Sequence, residues 1–526
     1  MSRRARLAVV LALASAVLHV PAGRATAPEG CPSSIAPDAI ASEATFEEWN
    51  RVLADMGPRP TASPSHERYI RWIEKRLSAI PGIELSALHD EVDRQLETAV
   101  ELTLHTPAGD VALPVAGPLP YSAVTPGGTR ARLVEVPTGT AITDVADQVE
   151  GATVVRPAAS GVIPMAVFGA VAYYVHDPGL SFDYSGNYER DWVGAGQRII
   201  DLEQAEAAGA AGIVFVHELP RAQVAGQYVP YPGTFWELPG LYVGSDEGTR
   251  LAAAMAAAGD GLDATIKIAA SRRHAPTRTV IARLPGEGAL ARERIVIESH
   301  TDGMNAVWDN GPVALLALAE HFAGLPASCR SRTLEFVFTT AHLYLTHAGA
   351  ELYAAMLDEE YDSGTVALVV ALEHLGAREF EAVAREDGGP GRELRPTGES
   401  ELFATFTHES PVLVEALTGT VIGHDLRRTW VLRGADAPQV GFPPHRSFGG
   451  EGGPYRHHLV PTVAAITGPW TLFDPAFAME ELVDFELMRR QTLAFGDLVM
   501  AVDDVPREVL AGADNVYRPG REVLGN

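Results

Sequence analysis

Cysteine is almost absent from this chain: Cys31 and Cys329 are the two in 526 residues. Neither has a second thiol at metal-site spacing, which excludes a cysteine-based zinc ribbon or finger as well as a small disulfide-stapled scaffold. In an oxidising compartment the two could pair and pin the N-terminal arm to the body of the protein; two free thiols are the other reading. Positive charge is also scarce, with 41 Lys and Arg against 68 Asp and Glu and a net charge of −27. Such a surface repels phosphate backbones and anionic lipid, so nucleic acid and membrane are not expected partners. Beyond the N-terminal leader described below, no apolar run reaches the ~20 residues that a membrane-spanning helix needs. The chain has no Gly-x-Ser-x-Gly elbow, no Gly-x-x-x-x-Gly-Lys phosphate loop and no His-Glu-x-x-His helix. Serine esterases, nucleotide-dependent enzymes and single-zinc helix proteases are disfavoured accordingly. Internal repeats and low-complexity tracts are missing as well.

What remains is an ordinary globular composition, 46% hydrophobic and 21% charged, in a chain too long for one core. Residues 1–27 stand apart. Arg3, Arg4 and Arg6 precede an apolar run from Leu7 to Val20 and then Ala25-Thr26-Ala27, the pattern of a cleavable secretory signal peptide. The mature protein is expected to be secreted or periplasmic. Residues 40–100 open with helical spacing, Phe46, Trp49, Leu53 and then Tyr69, Ile70, Ile73, Leu77, around a Gly57-Pro58-Arg59-Pro60 turn. Residues 101–274 carry short β-branched runs, many Gly and Pro, and a small-residue helix around 205–211 that closes before the strand Ile213-Val214-Phe215-Val216. From 275 to 505 strands alternate with helices: Val280–Leu284, Ile295–Ser299, helix 311–323, Leu334–Thr339, helix 348–358, Val366–Leu372. That order predicts an α/β fold, a mostly parallel mixed sheet flanked by helices, with an inserted β-rich α/β module and a C-terminal tail over 506–526. Sites are then expected at the C-terminal ends of the strands.

The first such end is the most informative. Ile295-Val296-Ile297-Glu298-Ser299 runs into His300, Asp302 follows two residues later, and Asp309 opens an apolar helix. A neutral imidazole, a carboxylate able to hold its second ring nitrogen, and a carboxylate with two oxygens to share suit one metal ion or two. Trp308, beside Asp309, would wall the pocket or pack.

Two resemblances follow from these residues. The runs 149–156 and 205–216, with Leu238-Pro239-Gly240-Leu241-Tyr242-Val243, resemble the protease-associated domain inserted in secreted peptidases. Pro276–Ala282, the His300 strand, Asp309-Asn310-Gly311, Arg332–Phe338 and Gly57-Pro58-Arg59-Pro60 resemble the co-catalytic zinc aminopeptidases, including glutamate carboxypeptidase-like enzymes and the metal-free transferrin receptor. The resemblance implies two zinc ions held by a His, a bridging Asp, a Glu, a second Asp and a last His, with another Glu as general base. Carried over residue by residue, it puts metal on His300 and Asp309, with Asp302 behind His300. Where the family has Ala-Glu-Glu this chain has Ala341-His342-Leu343, so the base and one ligand are lost unless His342 replaces one of them. Glu373 stands for the second Asp, with His374 beside it, and Asp474 for the last His. His445, Glu451 and His457 fall in the Gly/Pro-rich stretch that lines the family's specificity pocket. The expectation is a zinc-dependent hydrolase of a peptide or small amide, with His342 as base. A catalytically inactive frame that recognises peptide or protein, with no zinc, is the alternative. Self-association into a homodimer is left open.

Overall fold

The structure is a computed structural model that describes residues 30–231, 233–345, 347–434 and 448–523. The leader at 1–27 and His445 lie outside the described residues. No helix among the described residues is long and apolar enough to cross a membrane.

The sheet is built on four parallel strands in the order Thr333–Thr339, Arg294–His300, Val366–Leu372 and Thr462–Thr467. Their composition is that of strands buried on both faces. Ile295 and Ile297 point into the core formed with the helices Glu43–Asp55, Pro64–Leu77, Gly311–Gly324 and Phe485–Val502. Val296 points into the opposite core, against Tyr353 and Leu357 of the helix Ala348–Asp362. Alternation along one strand thus feeds two hydrophobic layers, and burying each such side chain contributes about 1.5–3 kcal/mol. The first two helices begin where the sequence places capping chemistry. Ser42 accepts from the Thr45 amide, and Ser63, followed by Pro64, accepts from the His66 amide.

The expected alternation of strands and helices after 275 is present element by element. The N-terminal region differs from its helical reading after Leu77. Glu84–Thr106 is a single strand of 23 residues, paired antiparallel along its length with Asp263–Leu284. Together they form a ribbon that belongs to both halves of the molecule. One end of Asp263–Leu284 pairs with Thr333–Thr339, and the other pairs with Thr129–Glu135. Beyond Thr129–Glu135 lie the parallel strands Thr153–Ala158, Gly212–His217 and Gly240–Val243. The expected boundaries near 100 and 275 therefore fall inside continuous strands. A segment within the middle region also leaves its neighbours. Ala172–His176 pairs antiparallel with Thr429–Leu432 and forms the far edge of the main sheet.

Cys31 and Cys329 are joined, with Cα atoms 5.4 Å apart across 298 residues of sequence. The bridge ties the N-terminal arm to the turn after helix Gly311–Gly324, where Ile35 also donates its amide to Asp497 at 2.6 Å. Closing so long a loop restricts the unfolded chain. The double variant Cys31→Ser, Cys329→Ser is expected to lose about 2–5 kcal/mol of unfolding free energy in urea titrations. A midpoint equal to that of the oxidised protein would show that the bridge adds nothing.

Candidate metal and substrate site

The C-terminal ends of three neighbouring parallel strands deliver His300, the 340–347 turn, and the pair Glu373-His374 to one place. Glu451, just before the short helix Gly452–His457, completes it. The backbone there is bent into a conformation that side chains disfavour. Ala341, Leu345, His347 and His374 all have left-handed φ, between 45° and 62°. Non-glycine residues hold such angles at a cost of roughly 1–3 kcal/mol each, and they concentrate at functional sites. Gly450, at φ 59°, serves the same end: a Cβ there would lie 1.6 Å from Glu373 Oε1, so glycine leaves the carboxylate its seat.

Three imidazoles stack. The rings of His300 and His342 lie 3.8 Å apart and 12° from parallel, and those of His342 and His347 4.3 Å apart at 11°. Carboxylates flank the stack. His300 Nδ1 donates to the Asp302 carbonyl at 2.9 Å, which leaves Nε2 facing Glu373 Oε2 at 3.4 Å. His374 does the same from the other side, with Nδ1 donating to the Thr467 carbonyl at 2.7 Å and Nε2 3.4 Å from Glu373 Oε2. Glu373 Oε1 accepts the Glu451 amide at 2.7 Å. His342 Nδ1 bonds Glu451, and its Nε2 accepts from the Trp308 indole at 3.4 Å. Behind them Glu298, fully buried, accepts from Thr339 at 2.6 Å.

These contacts split the titration of like groups. Burial opposes charge on His300, but the facing Glu373 carboxylate and the Glu451 charge outweigh it and push the imidazole up to about 9. Burial brings His342 down to about 4, helped by the charges of His300 and His347. Burial, with Glu451 alongside, drives Glu298 well above the carboxylate range. Glu451 is held well below it: burial acts against this, and His342 overcomes it.

Among the described residues, two sets bring three ligand atoms within 4.8 Å of one another: His300, His342 and Glu373, and His342, His347 and Glu451. His347, absent from the expected set, carries no sequence signal beyond its i, i+4 relation to Glu351. Neither set contains Asp309 or Asp474, which corrects the expectation that both bind metal. Asp309 is fully buried against Arg59, whose Nε and Nη2 donate to its two oxygens, each at 2.6 Å. Arg59 is itself fixed by the carbonyls of Leu53 at 2.6 Å and Asn305 at 2.9 Å. A guanidinium fork therefore occupies the edge of the carboxylate on which bridging ions would sit. Asp474 faces a different group, Asp191, Arg198 and Gln227, where burial and the Asp191 charge push it well above the carboxylate range. Residue 473, one step earlier, is the one beside the site: the Phe473 ring lies 4.9 Å from Trp308 and 5.4 Å from Tyr231.

The remaining expectations divide as follows. Asp302 does hold the second nitrogen of His300, but through its backbone carbonyl. Its carboxylate instead accepts the amides of His342 at 3.2 Å and Leu343 at 3.0 Å, fixing the turn. As a base, His342 has both nitrogens engaged within the protein. Trp308 is 1% exposed and packed, with Tyr228, Tyr231 and Phe473 around it. Glu451 sits at the centre of the cluster rather than on a pocket rim. His457 belongs to neither ligand set and is exposed, 4.0 Å from Glu351. A pair of co-catalytic ions does not fit these residues. One ion does fit part of them, because His300 Nε2 and Glu373 Oε2 are buried, face each other at 3.4 Å and have no hydrogen-bond partner.

Two outcomes follow. Removing one member of a buried ion pair leaves an uncompensated charge, so Arg59→Ala is expected to cost about 3–5 kcal/mol by urea unfolding, with much of it recovered in Arg59→Met, Asp309→Leu. A loss below 1 kcal/mol would show the pair to be dispensable. In metal-free protein the two histidines act in opposite directions. The raised His300 contributes stability that is present below pH 6.5 and lost as pH rises towards 9, whereas the lowered His342 withdraws stability as pH falls from 6.5 towards 4. Urea midpoints should peak near pH 6.5, and His342→Gln should flatten the acid limb; an unchanged limb would contradict the assignment.

No family model matches the chain, and neither does any curated protein sequence. Solved structures do. The aminopeptidase from Aneurinibacillus sp. strain AM-1 superposes with a TM-score of 0.55 at 18% identity, over 88% of this chain and 95% of that one. A zinc aminopeptidase from Bacillus subtilis gives 0.56 at 14%, over 87% and 93%. A peptidase M28 precursor from Shewanella amazonensis gives 0.60 at 15%, over 88% and 94%. At these identities the likeness is one of architecture, and the architecture of this chain is that of the zinc aminopeptidases.

Proposed function

We propose that this protein is an exported recognition protein on a peptidase frame, one that takes peptide or protein ligands without hydrolysing them by the two-metal route. The observation that carries this reading is the Arg59–Asp309 pair: the carboxylate that would bridge two ions is neutralised by a buried side chain that never gives up its charge. Three further features support it. The residues after the strand Thr333–Thr339 offer no free base, since His342 is engaged on both sides and Leu343 carries no donor atom. General base catalysis is typically worth ~10²–10⁴ in rate. Tyr231, Trp308 and Phe473 crowd the space beside His342, giving an aromatic wall suited to an apolar side chain. The Cys31–Cys329 bridge accords with an oxidising compartment.

A one-ion hydrolase is the second reading, favoured by His300 Nε2 and Glu373 Oε2, which face each other in the interior with no hydrogen-bond partner. An ion there would polarise a carbonyl and acidify a water. The two readings separate in one assay. Mature protein saturated with zinc, and with cobalt(II), is offered a panel of aminoacyl and peptidyl anilides. The expected result is no metal-dependent release of aniline above a His300→Ala, Glu373→Gln background. Turnover that the double variant abolishes would establish the hydrolase and end the recognition reading.

A further inference from the structure

We infer that two copies of this chain associate through the uncharged excursion around residues 157–176, edge strand against edge strand, so that the main sheet of one copy continues into that of the other. The inference is independent of what the cleft recognises or hydrolyses.

Composition gives the first reason. In a chain of net charge −27, no Asp, Glu, Lys or Arg occurs from Pro157 to His176. From Gly161 to Val175 every residue is aliphatic, glycine, proline, methionine, phenylalanine or tyrosine, as in a core. The structure leaves much of it in water. The helix Met165–Val171 buries Met165 alone, and Val162 and Val167 are exposed. Leu180, on the turn that follows, is 88% exposed. That turn is firmly built: the Asp177 carboxylate accepts the Ser181 hydroxyl and the Phe182 amide, each at 2.9 Å, and holds Leu180 out at φ 53°. A leucine there is unfavourable twice, in its backbone conformation and in its hydration. Helix and turn belong to one face. Phe168, Phe182 and Tyr184 all lie against Trp430, with ring centroids 4.9–5.7 Å apart, and a Cβ on Gly169 would come within 3.1 Å of the Tyr184 ring. A monomer rarely leaves a contiguous apolar face to water, and such faces mark interfaces.

The second reason is an open strand edge in the same excursion. Ala172–His176 ends the main sheet and pairs on one side, with Thr429–Leu432. Its other side meets no strand among the described residues, so peptide groups of an uncharged strand are free to pair. The opposite end of the sheet is blunted. There Gly117–Pro118 is two residues long, and the proline has no N–H to give. Ala172–His176 itself carries no proline, lysine or carboxylate to discourage a partner strand.

Charge selects a second copy as the occupant. A segment seated in a bilayer surface is rich in Lys and Arg on its polar side, whereas Asp177, Asp183 and Glu189 follow this one. Two acidic copies repel over most of their surfaces and least where neither carries an ionised group. A strand edge with its apolar flank also complements itself about a two-fold axis, because antiparallel pairing brings identical surfaces together. Three strands, Thr462–Thr467, Phe403–Thr407 and Thr429–Leu432, separate this edge from Val366–Leu372, which leads to Glu373, so the contact does not involve the imidazole cluster.

The test is the mass of mature protein in sedimentation equilibrium across ~1–100 µM chain. A reversible monomer–dimer equilibrium is expected. It should tighten as salt is raised, because salt screens the repulsion between the acidic bodies. Val167→Glu, Leu180→Glu puts two carboxylates from each copy at the contact and should weaken association roughly 100-fold or more. Both side chains are already exposed, so the melting temperature of the dilute monomer should not move. Val111→Glu, also exposed but on the hairpin strand Gly109–Leu113, should dimerise as wild type does. Strand pairing is read separately: amides of 172–176 should exchange with deuterium more slowly in the dimer than in the double variant at equal concentration. The inference is overturned if wild type stays monomeric over that range, if association weakens with salt, if the double variant dimerises as wild type does, if Val111→Glu loses the dimer too, or if the 172–176 amides exchange alike in both. Monomeric protein that co-sediments with phosphatidylcholine vesicles overturns it as well and assigns the face to lipid.

Discussion

The Arg59–Asp309 pair is the constraint around which the rest of the site is arranged. Two charges taken out of water must cancel, and the desolvation cost of several kcal/mol per ion is recovered only with close geometry and further hydrogen bonds. Both conditions are met. The guanidinium spans the two carboxylate oxygens and hands its other donors to backbone carbonyls, among them those of Leu53 and Asn305. The pair therefore fastens the turn after helix Glu43–Asp55 to the loop between His300 and helix Gly311–Gly324. A short bridge between Arg59 and Gly303 runs beside it. A metal centre would draw these same segments together through ligand bonds. Here a side chain does so permanently, and the loop keeps its shape without an ion at that carboxylate.

Charge elsewhere in the site follows from that substitution. With Asp309 neutralised, the remaining buried carboxylates of the site are Glu298, Asp302, Glu373 and Glu451, set against His300, His342 and His374. The cluster balances internally. His342 holds Glu451 towards its ionised form, burial and the neighbouring Glu451 drive Glu298 towards its protonated form, and Glu373 lies between two imidazoles.

Most of the architecture could be read from the sequence, because buried parallel strands are short apolar runs and their helices repeat every three to four residues. The end of one such run pointed to His300, and the family pattern to His342, Glu373 and Glu451; the structure brings all four together. What could not be read is what lies far apart in sequence and lacks a pattern of its own. Arg59 is 250 residues from Asp309 and reads as part of a Gly-Pro-Arg-Pro turn. Asp474 was located by counting back from the closing helix, and a single residue of register separates it from Phe473, which is the one that meets Trp308 and Tyr231. Asp302 meets His300 through its backbone carbonyl and not through the expected carboxylate, since sequence does not distinguish a carboxylate from the carbonyl three bonds away. The long ribbon strands were obscured for a physical reason as well: Glu84–Thr106 is largely exposed along one side, so it shows little of the apolar density that marks a buried strand.

The middle region contributes to the site more than its lack of chemical motifs suggests. Its loop reaches the 340–347 turn closely enough that a Cβ at Gly233 would lie 2.3 Å from the Leu343 carbonyl, and φ at that glycine is 63°. Only glycine permits both the approach and the angle. Two residues earlier, the Tyr231 ring lies nearly parallel beside the imidazole stack, 6.2 Å from His342 and 6.0 Å from His347. The Tyr228 amide is bonded to the Phe473 carbonyl at 3.1 Å. The aromatic wall is thus assembled from both halves of the molecule, with Trp308 and Phe473 from one and Tyr228 and Tyr231 from the other. A ligand side chain entering beside His342 would have to exchange its contacts for those of Tyr231, an exchange between two similar apolar surfaces. Selectivity would then depend less on apolar area than on polar groups of the ligand that meet what Tyr231 leaves unmatched, and for a buried site that mismatch is the larger free energy.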